Sequence, residues 1–409
     1  MKKARYILYL IAGMILTGCS ETTGSDVVPA EEDMPMLFSS ASSTSSSALN
    51  ASMGKTRAYD SMFVDGSTIT NIPANDSVGV FGYSTGTSDW TTDDQANFMF
   101  DQLMKRTSSG KGMMYTPLRY WGNDGRKYSF YGYYPYTPLS KSLHGVSITT
   151  DDMQKGMGAI GFTVKTDAAQ QVDFLVSKLA ANRTINDDGD SSVVLTFRHV
   201  LSQLNIKLTY ENTINWYNTT TGTSFQQVLD SSNKLYIYNV VLSGIYNSGK
   251  VSPVPNPTAS NGVTWEYIGD NPSDSVTIQN YSWNSDNTNT LLIIPQRMPV
   301  TATITFYAAL YTNGTMTKLG HITYPFTSSV KDGDEYEPFV FLPGRKYTIR
   351  ADIKQLNEDD LNLVANITFG AADDPDNTSS FPPAPKWGGK SDGGDINEAK
   401  KFIPWGWKE

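Results

Sequence analysis

An all-β chain built as two β-sandwich domains in tandem is what this sequence predicts, and three observations carry the prediction. Aromatic residues make up 12% of the 409, with 23 tyrosines and 8 tryptophans against 18% charged residues, a balance that favours strands over helices. Short runs alternate apolar or β-branched residues with polar ones and stop at Asn, Asp, Gly or Pro, as half-buried strands closed by turns do. No helical periodicity separates the runs, which argues against βαβ units. At this length the prior is about two domains of roughly 150 residues each.

Residues 1–18 begin with Lys2, Lys3 and Arg5, continue through an apolar run and close on small residues ahead of Cys19, the layout of a secretory signal. The run is shorter than the about 20 residues that a spanning helix needs. Leu16-Thr17-Gly18-Cys19 resembles the lipobox of bacterial lipoproteins, whose cysteine is diacylated and becomes the new N-terminus. Cys19 is the single cysteine, so the chain can form no internal disulfide and no cysteine-based zinc site. Two acyl chains on it would give a stable membrane anchor.

Residues 19–57 read as a tether. Positions 20–33 are polar and acidic and 39–52 are dominated by serine, compositions that cannot bury enough apolar surface to offset their ordering entropy. Between them Met36, Leu37 and Phe38 form an apolar island long enough for one short strand. Gly54-Lys55-Thr56-Arg57-Ala58 closes the tether with an exposed basic site.

The first sandwich is assigned to residues 58–188. Residues 78–83, 128–134 and 173–176 are its clearest strands, and Asn123-Asp124-Gly125 supplies the positive-φ positions of a tight hairpin ahead of the second. A polar stretch over 182–192 marks the boundary. The second sandwich, 189–370, opens with the run Val193-Val194-Leu195-Thr196-Phe197-Arg198-His199-Val200-Leu201. Leu204, Ile206 and Leu208 then alternate with Gln203, Asn205 and Lys207, an inward set against an outward one. Residues 235–242, 290–294, 301–310 and 346–353 follow as further strands. The tail, 371–409, is rich in Asp, Pro and Gly and ends in Phe402, Ile403, Trp405 and Trp407, a segment either tucked on its own domain or offered to a partner.

Charge and motif content exclude several functions. The formal net charge is -9, and without the three basic residues of the leader 29 basic residues face 41 acidic ones, a balance that repels nucleic acid. His144, His199 and His321 are scattered, and His199, between Phe197 and Leu201, reads as a packed, hydrogen-bonded residue rather than a base. Asp187, Asp188 and Asp190 lack the alternating ligand spacing of a calcium loop and read as a solvated turn. Glu358, Asp359 and Asp360 are unremarkable in an acidic chain. With no P-loop, dinucleotide fingerprint, HExxH or nucleophile elbow, no enzyme, metal or cofactor is expected. Two aromatic sets, Tyr120, Trp121, Tyr131, Tyr133 and Tyr134, and Trp387, Trp405 and Trp407, fit either a sugar-stacking platform or core and cross-strand pairs, with the core favoured.

Taken in order, the lipobox at Cys19, the strand-like residues 36–40, Thr56-Arg57-Ala58, Asp76-Ser77-Val78-Gly79-Val80-Phe81, the aromatic hairpin over 121–136, Asp173-Phe174-Leu175-Val176, residues 195–202 and Pro343-Gly344 before Lys346-Tyr347-Thr348-Ile349 resemble the fimbrillin family, the type V pilins. The resemblance covers most of residues 1–370. It implies two Greek-key, transthyretin-like sandwiches exported as a surface lipoprotein of the outer membrane. It also implies cutting by an Arg-specific surface protease between Arg57 and Ala58. Removal of the leader and its placeholder strand, Met36, Leu37 and Phe38, would open a groove for a strand of another pilin subunit in the fimbrium. Leu37 and its alternate neighbours are expected to fill that groove beforehand. Phe402, Ile403, Trp405 and Trp407 are the candidate donor anchors, although Pro404 cannot give a ladder hydrogen bond. Such a subunit can also meet a host or bacterial surface ligand. The long tail departs from a plain stalk subunit, and the alternative is a surface-anchored glycan-binding lipoprotein that is never cut.

Overall fold

The computed structural model describes residues 34–40 and, with short interruptions, 72–359, and the chain there is almost entirely β. In the first half it forms β1 (Phe38–Ser40), β2 (Ser77–Ser84), β3 (Met99–Arg106), β4 (Gly112–Met114), β5 (Tyr128–Tyr134), β6 (Ser142–Leu143), β7 (Val146–Ser147), β8 (Ile160–Thr163), β9 (Leu175–Ser177) and β10 (Ala180–Arg183). Next come β11 (Val193–Leu195), β12 (Phe197–His199), β13 (Ser202–Asn218), β14 (Thr223–Val228), β15 (Asn233–Ile245), β16 (Ser248–Pro253) and β17 (Val263–Tyr267). The series ends with β18 (Asp274–Gln279), β19 (Thr290–Ile293), β20 (Thr303–Thr312), β21 (Thr315–Pro325), β22 (Thr327–Asp332), β23 (Glu335–Pro338) and β24 (Lys346–Asp359).

The first sheet runs β11-β1-β4-β3-β2-β5-β9-β12, with β10 also on β5, so it takes in strands beyond residue 188. It curls until β11 lies against β5. The curl covers one face of β5 and a second core covers the other, so every residue of β5 is buried. Tyr128, Phe130 and Tyr134 join Phe38, Val80 and Leu195 in one core, while Tyr131 and Tyr133 join Phe81, Phe162 and Phe174 in the other. Packing this tight demands glycine at one position: a Cβ on Gly79 would stand 2.1 Å from the Tyr133 ring.

The second large sheet runs β14-β13-β24-β21-β20-β15-β18, with β19 also on β13. β18 and β19 come back against one another and close it around Trp216, Phe306, Ile304 and Ile349. A five-stranded sheet, β17-β16-β8-β7-β6, draws on both halves of the chain. These layers are sandwich-like, as the alternation predicted.

One local expectation needs correction. Gly125 does take a positive φ of 72°, but the turn over 121–127 joins no hairpin, because β5 pairs with β2, β9 and β10 and not with β4. Tyr120 instead bridges Pro35 from the leader. Among the aromatic residues weighed as a sugar platform, Trp121, Tyr131, Tyr133 and Tyr134 are core, and Tyr120 alone of its set is exposed. His199 is packed as expected, its Nδ1 hydrogen-bonded to the Asp173 carboxylate with both side chains buried. Asp187 accepts from the backbone N–H and the hydroxyl of Thr184, so it stabilises a local turn.

Asp101 occupies an inward position of β3, 8% exposed, and accepts a 2.7 Å hydrogen bond from the Tyr133 hydroxyl. Burial, partly offset by hydrogen bonds from Tyr133 and the Leu139 backbone, pushes its pKa up to about 6. A raised carboxyl pKa makes its contribution fullest below about pH 4 and removes it as pH rises through about 6, a loss on the order of 2 to 3 kcal/mol. Asp101→Asn keeps the acceptor and tolerates the positive φ of 50° at this site. Denaturant melts should therefore show the variant more stable than the parent at pH 7.5 and equal to it near pH 4.

Candidate assembly groove

The tether contributes a strand to the interior of the first sheet. β1 pairs in parallel with β11, Phe38 opposite Val193 and Ser40 opposite Leu195, and antiparallel with β4, Phe38 opposite Met113. Hydrogen bonds extend the pairing back along the chain: the Met36 N–H donates to the Arg119 carbonyl at 2.8 Å, the Trp121 N–H to Met34 at 2.9 Å, and the Val193 N–H to Leu37 at 2.8 Å. Both edges of this short segment are thus engaged, although its sequence neighbours are a polar tether.

Side-chain parity follows from the strand period of two. Met36, Phe38 and Ser40 point inward, at 0%, 1% and 1% exposure, while Leu37 is 53% exposed. The expectation that Leu37 fills the groove is corrected: a three-residue apolar run does not reveal which parity faces the core, and here its outer members do. Phe38 sits edge-on to Tyr115 at 5.5 Å and to Phe130 at 5.0 Å between ring centroids. Tyr115 also donates its hydroxyl to the Met36 carbonyl at 2.9 Å. The Ser40 hydroxyl has no hydrogen-bond partner among the described residues.

Energies can be attached to these contacts. Burying Met36 and Phe38 contributes roughly 1.5 to 3 kcal/mol each. Among the described residues β11 has no ladder partner other than β1. Without β1, the facing edges of β4 and β11 would carry unpaired backbone groups over a floor of Tyr115, Phe130, Val193 and Leu195. Chemically the site is an acceptor for an extended strand with large apolar residues at alternate positions.

Phe130 shows in the aromatic run of β5, whereas Tyr115, between Met114 and Thr116, carries no sequence signal that it lines a groove. Cys19, Arg57, Ala58, Phe402, Ile403, Trp405 and Trp407 lie outside the described residues.

A sequence model of the family described as Fimbrillin-like matches residues 56–369. The chain belongs to the fimbrillin-like family. This fimbrillin-like chain is 31% identical over 149 residues to Fimbrium subunit Fim1C of Phocaeicola vulgatus. That match takes in 34% of the chain and 39% of the relative, so it spans about two-fifths of the relative's own length. A crystal structure of a fimbrial protein from Bacteroides vulgatus is similar to the fimbrillin-like chain at 17% identity, with a TM-score of 0.46, over 80% of this chain and 98% of that one. The family match starts at residue 56, so β1 lies in front of it.

Proposed function

We propose that this chain is a structural or adhesive subunit of cell-surface fimbriae, exported as a lipoprotein on Cys19 and assembled by strand exchange once the tether is cut between Arg57 and Ala58. The observation that supports this reading is the position of β1: a leader segment supplies an interior strand of a sandwich whose family match begins only at residue 56. While the tether is intact, its covalent link holds the strand at a high effective concentration beside the groove. Cutting the link removes that advantage and leaves a few large side chains to compete with an incoming strand. A donor with more apolar anchors then replaces it. The aromatic tail, with Phe402, Ile403, Trp405 and Trp407, is the donor proposed here, and its partner is another pilin subunit. The chain's role is structural, without catalysis.

N-terminal sequencing of surface polymers is the test. The expected sequence begins at Ala58, with the leader retained in the outer membrane by its lipid; polymers that begin upstream of Ala58 would overturn the exchange step. A chain lacking residues 400–409 is expected to be cut normally and to stay monomeric. Normal polymers from that chain would remove the tail as donor and leave the groove without its assigned occupant.

A further inference from the structure

We propose that a cleft at the turn end of the second sandwich binds an acidic saccharide, a sugar ring bearing a carboxylate. The cleft, of about 600 Å³, lies between the start of β15 and the β20–β21 turn. Small-ligand sites span about 300 to 1,000 Å³. Its apolar walls come from a strand register: Lys234 stands opposite Tyr311 and Tyr236 opposite Ala309, which makes the two tyrosines diagonal neighbours on the outer face of the sheet. Their rings are 5.3 Å apart at 82°, one presenting a face beside the edge of the other. The face of an aromatic ring carries negative charge density, and a sugar ring offers it a face of weakly positive C–H groups. A right-angled pair of rings therefore seats a sugar on a floor and against a wall.

The rim supplies what the hydroxyls of a sugar need. Ser231 and Ser232 contribute hydroxyls and Asn313 an amide, all of them exposed. The two loops are held in place before any ligand arrives. The Asn313 N–H donates to the Ser232 carbonyl at 2.7 Å, and Thr312 donates its hydroxyl to the Asn233 side chain at 3.0 Å. The Asp230 carboxylate takes the N–H groups of Ser232 and Asn233 at 2.7 and 2.8 Å, so its charge is engaged in the loop itself. Asn313 and Gly314 hold the opposite turn at φ of 51° and 80°. A rim fixed in this way loses little entropy on binding.

Charge selects among sugars. Lys234 is exposed, forms no ion pair with any described residue, and is the one charged residue among those lining the cleft, in a chain with net charge -9. An ammonium beside this right-angled pair of rings is suited to a carboxylate on the sugar. The aromatic residues that the sequence offered as a sugar platform in the first half are mostly core, whereas Tyr236 is 43% exposed. This site is separate from the β1 groove, and its occupancy does not depend on strand exchange.

Isothermal titration of the purified, uncut full chain with trigalacturonate and with its methyl ester tests the proposal. Trigalacturonate is expected to bind at millimolar or better affinity, and the ester more weakly. Lys234→Gln, which alters an exposed charge and leaves the fold intact, is expected to weaken trigalacturonate binding about tenfold and abolish the preference over the ester. Tyr311→Ala is expected to abolish binding to both, with circular dichroism matching the parent. No binding of either sugar, equal binding of acid and ester by the parent, or unchanged affinity in Lys234→Gln would overturn it.

Discussion

Phe38→Ala is expected to lower the stability of the uncut first sandwich by about 3 to 5 kcal/mol, the range for deleting a buried phenylalanine side chain. The residue is 1% exposed and its ring meets Tyr115 and Phe130 edge-on, so truncation removes both aromatic contacts and leaves a cavity between β1 and β5. Such a loss is a large share of the 5 to 15 kcal/mol that holds a typical domain together. Leu37→Ala, one residue away, is expected to change stability by less than about 1 kcal/mol, because Leu37 is 53% exposed. Denaturant titration of the two variants separates a strand that seals the core from one that rests on the surface. Equal effects of the two substitutions would contradict the inward parity of Phe38. In the strand-exchange reading, the Phe38→Ala chain should also release its leader sooner after the tether is cut.

The second large effect is expected from Arg57→Ala. Without a basic residue at that bond, an Arg-specific protease leaves the leader attached, and the surface fraction should contain a full-length lipidated chain with no polymer above it on a gel. Lys55→Ala, two residues upstream, is the control and should be processed normally. Groove energetics explain why so small a change would be decisive. An intramolecular β1 faces an effective concentration that a strand from another subunit cannot match while the tether holds. Polymers formed by Arg57→Ala with the leader still attached would count against cutting as the trigger.

Legibility from sequence varied with how openly each strand displays its pattern. β5 shows aromatic residues at five of seven positions and β2 Val, Phe or Tyr at four of eight with glycines between them, because both of their faces are buried. β3 passed unnoticed: its inward position at Asp101 is acidic, and Leu103, at 40% exposure, points out. The alternation also breaks in the backbone itself: the β2–β3 register shifts between Met99 and Gln102, Asp101 takes a positive φ of 50°, and the buried positions fall at 99, 101 and 104. The island at residues 36–38 was visible because nothing apolar surrounds it, yet its parity was not, since three consecutive apolar residues fit either face. Tyr236 and Tyr311 could not be paired from sequence at all. They lie far apart along the chain and meet only through the β15–β20 register, which no local pattern encodes.

Ser40 gives the inserted strand a property beyond its fit. An inward hydroxyl without a partner among the described residues costs about 1 to 3 kcal/mol relative to an aliphatic side chain in the same place. In the strand-exchange reading, that difference would shorten the residence time of a severed strand by about one to two orders of magnitude. The leader would then be both a plug and a clock: it closes the sheet as long as it is tethered, and its own sequence limits how long it lingers afterwards.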